Sequence, residues 1–378
     1  MNKKVAIFSD VNPTKSYSCI QYLADTLSEN GITVDLYAKI PSKDMKYTKF
    51  WKFNVQSIYN FAYGKLPFIR RYLAQVHLFI LSVFFYENII IHELTFFRIA
   101  WMAKKINKKL TVIHYATELY DENDEPNHKA LLDFYRANSS LPDLVIECNE
   151  QRSELRRELF NVKSKTVVIE NTIPLVDRSS NPKKDCMLVD KPIKLIYTGA
   201  AYLHRELDRI IDAFSMSNLG KNVQLVLVCY GGDEDIRQLQ EYCERNISDH
   251  YTMHANLSRD EALEHVANSD IGIVYYRPSL SMGNRLAAPT KFYEYLSLGL
   301  PVVCSNNDSL IPIIDTYNIG AYVDDESISS LSNAIKDVYY GIKKGDFDKI
   351  SIKNIFKDNL EYKVKSKDSI ETIIDLLG

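Results

Sequence analysis

Several common devices are missing from this sequence. Its six cysteines, Cys19, Cys148, Cys186, Cys229, Cys243 and Cys304, never form a C-x-x-C pair. That argues against a zinc site or a disulfide framework and fits a reducing compartment such as the cytoplasm. Neither a P-loop nor a G-x-G-x-x-G string occurs, which argues against kinase and dehydrogenase cradles. Charge of one sign is not in surplus: 46 Lys and Arg against 49 Asp and Glu leave a net −3, a balance that predicts neither nucleic-acid binding nor disorder. Long hydrophobic runs are absent too. The most apolar stretch, LFILSVFF at 78–85, falls far short of the about 20 residues of a membrane span, and is expected to be a buried helix. The opening MNKKVAIFSD has only four apolar residues after its two lysines, too few for a leader, and predicts a first strand.

What is present is alternation. The 378 residues exceed one hydrophobic core and suit two domains. Short apolar runs, VAIFSD (5–10), TVDLYA (33–38), NIIIHE (88–93), LTVIHYA (110–116), DLVIECN (143–149) and TVVIEN (166–171), alternate with amphipathic helical stretches. One of these helices carries Ile99, Met102, Ala103 and Ile106 on one face. A second series follows: IKLIYTG (193–199), VQLVLVCYGG (223–232), IGIVYY (271–276) and PVVCS (301–305). Such alternation predicts two α/β domains, each a doubly wound, Rossmann-like parallel sheet, facing each other across a cleft. The expected division is a domain at 1–175, a polar, proline-bounded linker at 176–191, a second domain at 192–350, and a charged helix at 351–378 that packs back toward the first domain.

The strongest chemical signal is APTKFYEYLSLGLPVVCS, 288–305. Pro289 and Thr290 precede a helix that starts near Lys291 and ends at Gly299. Free N–H groups and the positive end of the helix dipole suit a diphosphate, and Lys291 adds a full charge. Glu294, one turn on, can accept hydrogen bonds from two vicinal sugar hydroxyls. The competing explanation is a surface Lys–Glu pair at i, i+3, worth a few tenths of a kcal/mol.

The whole string P-x-K-x-x-E-Y-x-x-x-G-x-P-V-V resembles the donor-site signature of GT-B-fold glycosyltransferases, the large retaining group called family 4. IYTGAAYLHRELDRIIDAF (196–214) resembles that family's first strand, loop and helix, with Gly199 closing the strand and Arg205 in the position of a phosphate-binding basic residue; Ala200 replaces the second basic residue. HANLSRDEALEHVANSDIGIVYYRP (254–278) is similar to the base-binding loop, which implies that backbone groups of Asn256 or Leu257 meet the base. VIHYATELYDE (112–122) resembles a segment that carries a His-Glu pair; Thr117 replaces the histidine and Glu118 remains. VVIENTIP (167–174) matches the passage into the linker. Leu286 stands where relatives carry a sugar-contacting glutamate, so the sugar contacts do not carry over, the 281–285 loop being one candidate for them, and the 10–16 loop lacks the paired glycines of many relatives.

The resemblance implies a cytoplasmic transferase moving a sugar from a UDP- or GDP-sugar to a glycan, lipid-linked or free, in bacterial surface polysaccharide synthesis, with no metal and no further cofactor. Arg205 and Lys291 would stabilise the leaving diphosphate. An inverting enzyme would instead need a base among Asp10, His114 and Glu118. An epimerase or hydrolase on the same two-domain plan, or a non-catalytic scaffold, fits the same signals.

Lys39–Tyr72 adds a basic aromatic stretch: eight Lys and Arg against Asp44 alone, interleaved with nine aromatics. That composition suits an anionic membrane surface, or a core with a solvated basic face; a single-stranded nucleic acid has no other support. Asp233–Glu234–Asp235 has metal-site spacing but opens a helix, where acids favour the dipole. The acidic run 118–125 lacks the glycine and final glutamate of a calcium loop.

Overall fold

A computed structural model of the chain describes residues 3–14, 18–58, 67–120, 129–175, 192–220 and 222–378, without the side chains of 18, 67–71, 204 and 205. The expected linker at 176–191 lies outside the described residues, as does the acidic run beyond residue 120. The chain forms two compact units, Met1–Glu170 with Lys365–Gly378, and Asn171–Val364.

Unit 1 is built on β1 (Lys4–Phe8), β2 (Thr33–Ala38), β3 (Asn54–Ser57), β4 (Asn88–His92), β5 (Thr111–Ala116), β6 (Leu144–Glu147) and β7 (Lys165–Val168). Their order is β3-β2-β1-β4-β5-β6-β7, every pairing parallel. Val, Ile, Ala and Phe dominate the buried positions of β1, β4 and β5 because helices cover both faces of such a sheet. The helices are α1 (Ser18–Glu29), α2 (Pro67–Phe84), α3 (Phe97–Ile106), α4 (Lys129–Ala137) and α5 (Glu150–Phe160). The last helix of the chain, Lys367–Leu376, also belongs here: Ser369 Oγ donates to the Val168 carbonyl at 2.6 Å, and Lys365 pairs with Glu170 at 2.6 Å.

Two expectations about unit 1 need correcting. LFILSVFF forms the end of α2 and the residue after it, but it is not buried all round. Leu78 and Val83 face the core while Ile80, Phe84 and Phe85 are exposed, because only one side of the helix meets the sheet. In α3 the buried stripe runs through Ile99, Ala100 and Ala103 with Phe96 before it, leaving Met102 and Ile106 exposed. At ~100° per residue those two stand about a quarter-turn from the centre of the stripe.

Unit 2 carries β8 (Ile193–Ala200), β9 (Val223–Tyr230), β10 (Tyr251–Ala255), β11 (Ile271–Val274), β12 (Val302–Cys304) and β13 (Gly320–Tyr322). The order is β10-β9-β8-β11-β12-β13, again all parallel. Its helices are α6 (Asp208–Ser217), α7 (Asp233–Ile247), α8 (Arg259–Ala267), α9 (Met282–Arg285), α10 (Thr290–Ser297), α11 (Ile311–Tyr317), α12 (Ile328–Lys344) and α13 (Lys349–Ile355). In each sheet the order reverses once, at β1/β4 and at β8/β11. Open α/β sheets bind ligands at the carboxyl ends of strands beside such reversals.

Candidate functional site

In unit 2, helix α10 is held in place by its buried tyrosine. Tyr295 lies against Gly272 of β11, where a β-carbon would come within 2.1 Å of the ring. Its hydroxyl accepts from the Thr198 N–H on β8 at 2.9 Å. At the far end Gly299 turns with φ +81°, and a β-carbon there would meet the Lys349 carbonyl at 2.5 Å. Both glycines are therefore fixed by close approach. At the near end Pro289 is the N-cap, in extended conformation, and no side chain caps the first turn. The N–H groups that open α10 are thus not occupied by a capping side chain.

Lys291 projects from that turn. Its Nζ lies 4.1 Å from the centre of the Tyr197 ring and 5.3 Å from that of Tyr276, so two ring faces hold the ammonium by cation–π attraction. Tyr197 and Gly199 alternate along β8 onto one side of the sheet. A β-carbon on Gly199 would lie 2.9 Å from Lys291 Nζ and 2.7 Å from the Tyr197 hydroxyl. Gly199 and Lys291 are thus brought together, and the two tyrosines were not singled out from the sequence. The one signal for Tyr197 is its place two residues before the glycine.

Glu294 is mostly buried and engaged. Arg259, at the start of α8, donates to its Oε1 from Nη2 at 2.9 Å and from Nε at 3.2 Å. Its sequence partner Lys291 faces the tyrosines instead, so the surface-pair explanation does not describe either residue. Arg259 is a further residue that sequence reasoning missed, since it comes from another helix. Asn256 adopts φ +55° and clamps Gly231: its Oδ1 accepts from the Gly231 N–H at 3.1 Å and its Nδ2 donates to the Gly231 carbonyl at 3.2 Å. Its own N–H donates to the Cys229 carbonyl at 2.8 Å. Leu257 beside it is half-buried. Arg205 falls in a π-helical turn, Leu203–Leu207, and its side chain lies outside the described residues. Its neighbour Glu206 is buried and accepts from the Arg277 N–H at 3.2 Å.

The 281–285 segment is the short helix α9, capped by Ser281 Oγ accepting from the Asn284 N–H. Asn284 donates to the Arg277 carbonyl at 3.1 Å and the buried Asn307 donates to the Asn284 carbonyl at 3.1 Å. Leu286 is buried and closes α9. Asp233, Glu234 and Asp235 open α7, where Asp235 accepts from the Gly232 N–H and Glu234 pairs with Arg237. Among the described residues no group of three His, Cys, Asp or Glu could hold a metal ion.

In unit 1 the three candidate bases sit in different settings, and Asp10 and Glu118 both lie near enough to act on His92. His114 is fully buried, its imidazole packed against Phe97 and Tyr135 and held well below its ordinary pKa by burial. Asp10, just past β1, accepts from Thr95 Oγ1 at 2.7 Å. Glu118 is exposed, but its backbone is fixed: its N–H donates to Glu93 Oε1 at 2.9 Å and its carbonyl accepts from Arg156 Nη2 at 2.7 Å. Glu93 itself has φ +61°, a costly conformation for a residue with a side chain. Its buried carboxylate accepts from the N–H and hydroxyl of Thr117, and burial raises its pKa. His92 lies between Ser9 Oγ at 3.3 Å and Thr117 Oγ1 at 3.0 Å, with its pKa pushed down to about 4 by burial. Thr117 is therefore part of a buried polar network, and the His-Glu at the end of β4 is the signal for it that sequence reasoning passed over.

Of the Lys39–Tyr72 stretch, residues 59–66 and the side chains of 67–71 lie outside the described residues. In the remainder Phe53 is core while Tyr47 and Phe50 are exposed.

Residues 181–344 match the family model described as glycosyl transferases group 1. No curated protein matches the chain in sequence. A glycosyltransferase from Rickettsia africae is similar in structure with a TM-score of 0.72 at 12% identity, covering 100% of this chain and 99% of its own. Anabaena HepE, in complex with UDP, gives 0.72 at 13% identity over 98% of this chain and 100% of its own. The lipopolysaccharide outer core galactosyltransferase WaaB gives 0.70 at 15% identity over 98% and 99%. Residues 181–344 are thus similar to glycosyl transferases group 1, and the chain has the two-sheet GT-B fold of these solved structures.

Proposed function

We propose that the chain transfers a hexose-type sugar from a UDP- or GDP-sugar to a glycan acceptor, with retention of configuration, in bacterial surface polysaccharide synthesis at the cytoplasmic face of the membrane. The observation that carries this reading is the opening turn of α10, uncapped by any side chain, with the Lys291 ammonium beside Gly199. Helix N–H groups plus one cation match a diphosphate. Glu294, oriented by Arg259, is assigned to the ribose hydroxyls. The neighbours support the donor class: HepE has been solved with UDP and with UDP-glucose, and WaaB is a galactosyltransferase of lipopolysaccharide.

In this mechanism the bond between the anomeric carbon and the diphosphate oxygen breaks, and its electron pair leaves with the diphosphate. The acceptor oxygen bonds to the same face of that carbon, and its proton passes to the departing phosphate oxygen. Lys291, Arg205 and the α10 N-terminus stabilise the leaving charge, which is the interaction that grows in the transition state. Glu118, an exposed residue just past β5, is the base assigned if the reaction inverts.

A titration against a panel of nucleotide sugars tests the reading. Glu294→Ala is expected to weaken the preferred donor roughly ten- to hundredfold, the worth of charged hydrogen bonds. Arg259→Ala should weaken it less than about fivefold, as for an exposed ion pair. Unchanged donor affinity in Glu294→Ala overturns the donor site, and rapid turnover of nucleotide sugar without acceptor favours the hydrolase or epimerase function.

A further inference from the structure

One row of side chains on the unit 2 sheet passes from buried to open in a single step. Between β8 and β9, Ile196 is registered with Val226, Thr198 with Val228 and Ala200 with Tyr230, and registered residues of neighbouring strands share a face. That face is the one α10 covers: Tyr295 lies against Gly272, itself registered with Ile196, and its hydroxyl is 3.1 Å from Thr198 Oγ1. Val226 and Val228 are 4% and 5% exposed, whereas Tyr230 is 63% exposed. The cover stops there because α8 and α10 both begin near the carboxyl ends of the strands, where Arg259 meets Glu294. Tyr230 therefore ends β9 between the end of β8 and Asn256, just past β10, on the face of the sheet that carries the Arg259–Glu294 pair.

Polar side chains beside this ring are committed to partners within the protein. Asn256 uses both ends of its amide on Gly231, the residue after Tyr230. Ser258 donates from its N–H and its hydroxyl to Glu261 Oε2 at 2.9 and 2.6 Å, and its Oγ accepts from the Glu261 N–H in return. Two side chains that could read the edge of a base are thus already satisfied. What the strand ends offer a flat, uncharged ring is the exposed ring of Tyr230. With the diphosphate at the start of α10 and the ribose on Glu294, the base comes next along a nucleotide. An aromatic face suits any base, since every base has a π-face. A lone exposed tyrosine needs no ligand; this one stands on the face, and at the strand ends, where the nucleotide is placed.

We propose that Tyr230 is the platform on which the base of the nucleotide donor stacks, and that the base is held by its face rather than read along its edge, so that uracil and guanine are both accepted. The inference rests on the assignment of Lys291 and Glu294 to a nucleotide and concerns how that site treats the base. The test is calorimetric titration of the full chain with UDP and with GDP. The wild type should bind both. Tyr230→Ala should weaken both roughly five- to hundredfold, the worth of one base stacked on an aromatic side chain. Tyr230→Phe, which keeps the ring, should bind as the wild type does. Tyr230→Trp gives a second reading if the alanine variant fails to fold. The natural tryptophans, Trp51 and Trp101, both lie in unit 1, so the added fluorescence reports on unit 2, and UDP and GDP should each quench it in proportion to occupancy. Undiminished affinity in Tyr230→Ala beside a loss in Glu294→Ala overturns the platform and leaves the donor site standing. Equal losses in Tyr230→Phe and Tyr230→Ala, an unquenched indole, or a wild type that binds only one of the two nucleotides also overturn it. If the wild type binds neither, the donor site itself falls and the platform with it.

Discussion

Gly199 and Lys291 are far apart in sequence and meet at the end of β8, so each sets a limit on the other. Gly199→Ala places a methyl group 2.9 Å from the ammonium and 2.7 Å from the Tyr197 hydroxyl. The lysine, being flexible, gives way, and the charge moves off the position proposed for the diphosphate. Donor affinity in a calorimetric titration is expected to fall roughly tenfold or more, the worth of one charged hydrogen bond, and Lys291→Met should show a similar loss. Wild-type affinity in Gly199→Ala would separate the glycine from the lysine's task. The Lys–Glu spacing was legible because both residues sit on one helical turn, whereas Tyr197, Tyr276 and Arg259 were not. They reach the site from β8, the segment after β11, and α8, and no local pattern announces a contact made through folding. The same reason hid His92 and Glu93, whose partners Ser9 and Thr117 come from the ends of β1 and β5.

At the scale of elements, strands were legible where their sequence is a run of apolar residues, which holds even for the outermost β7. The Val- and Ile-rich central strands match the expected runs within a few residues. β3, β10 and β13 were not anticipated, and all three are outermost in their sheets. An edge strand needs less apolar sequence and is better protected from mispairing without it; NVQS and GAY are what such strands look like. Helices α2 and α3 failed in the opposite sense. Their apolar residues exceed what the sheet covers, and a pattern of hydrophobic residues does not say which of them find a partner. The seat of α10 is open to test: Tyr295→Phe removes the acceptor for the half-buried Thr198 N–H. An unpaired donor of this kind costs about 1–3 kcal/mol. Urea denaturation should show that loss at unchanged slope, and an unaltered midpoint would mean that α10 is held by packing alone.

For the molecule as a whole, His92 ties stability to pH. In the fold it stays neutral down to about 4, while in the unfolded chain it titrates near its ordinary ~6.5. Between those values the unfolded state binds a proton that the folded state refuses, so stability falls as pH drops from 6.5 to 4, by at most ~3 kcal/mol. Glu93 acts in the other direction. Its raised pKa gives a contribution present at low pH and lost as pH rises through the folded value. The readable quantity is therefore a difference: thermal midpoints followed from pH 7 to 4 should fall less in His92→Gln than in the wild type. Equal slopes would place the dependence elsewhere.

The path of the chain between its two units has a consequence for the order in which they are made. Unit 1 begins the sequence yet takes its last helix from Lys365–Gly378, while unit 2 is one continuous stretch between. During synthesis unit 1 therefore cannot be completed until Lys365–Gly378 has left the ribosome. Unit 2 has all its residues before then. The N-terminal sheet must wait, with the face that Ser369 later joins at Val168 still uncovered, and that interval is when the nascent chain has most need of a chaperone.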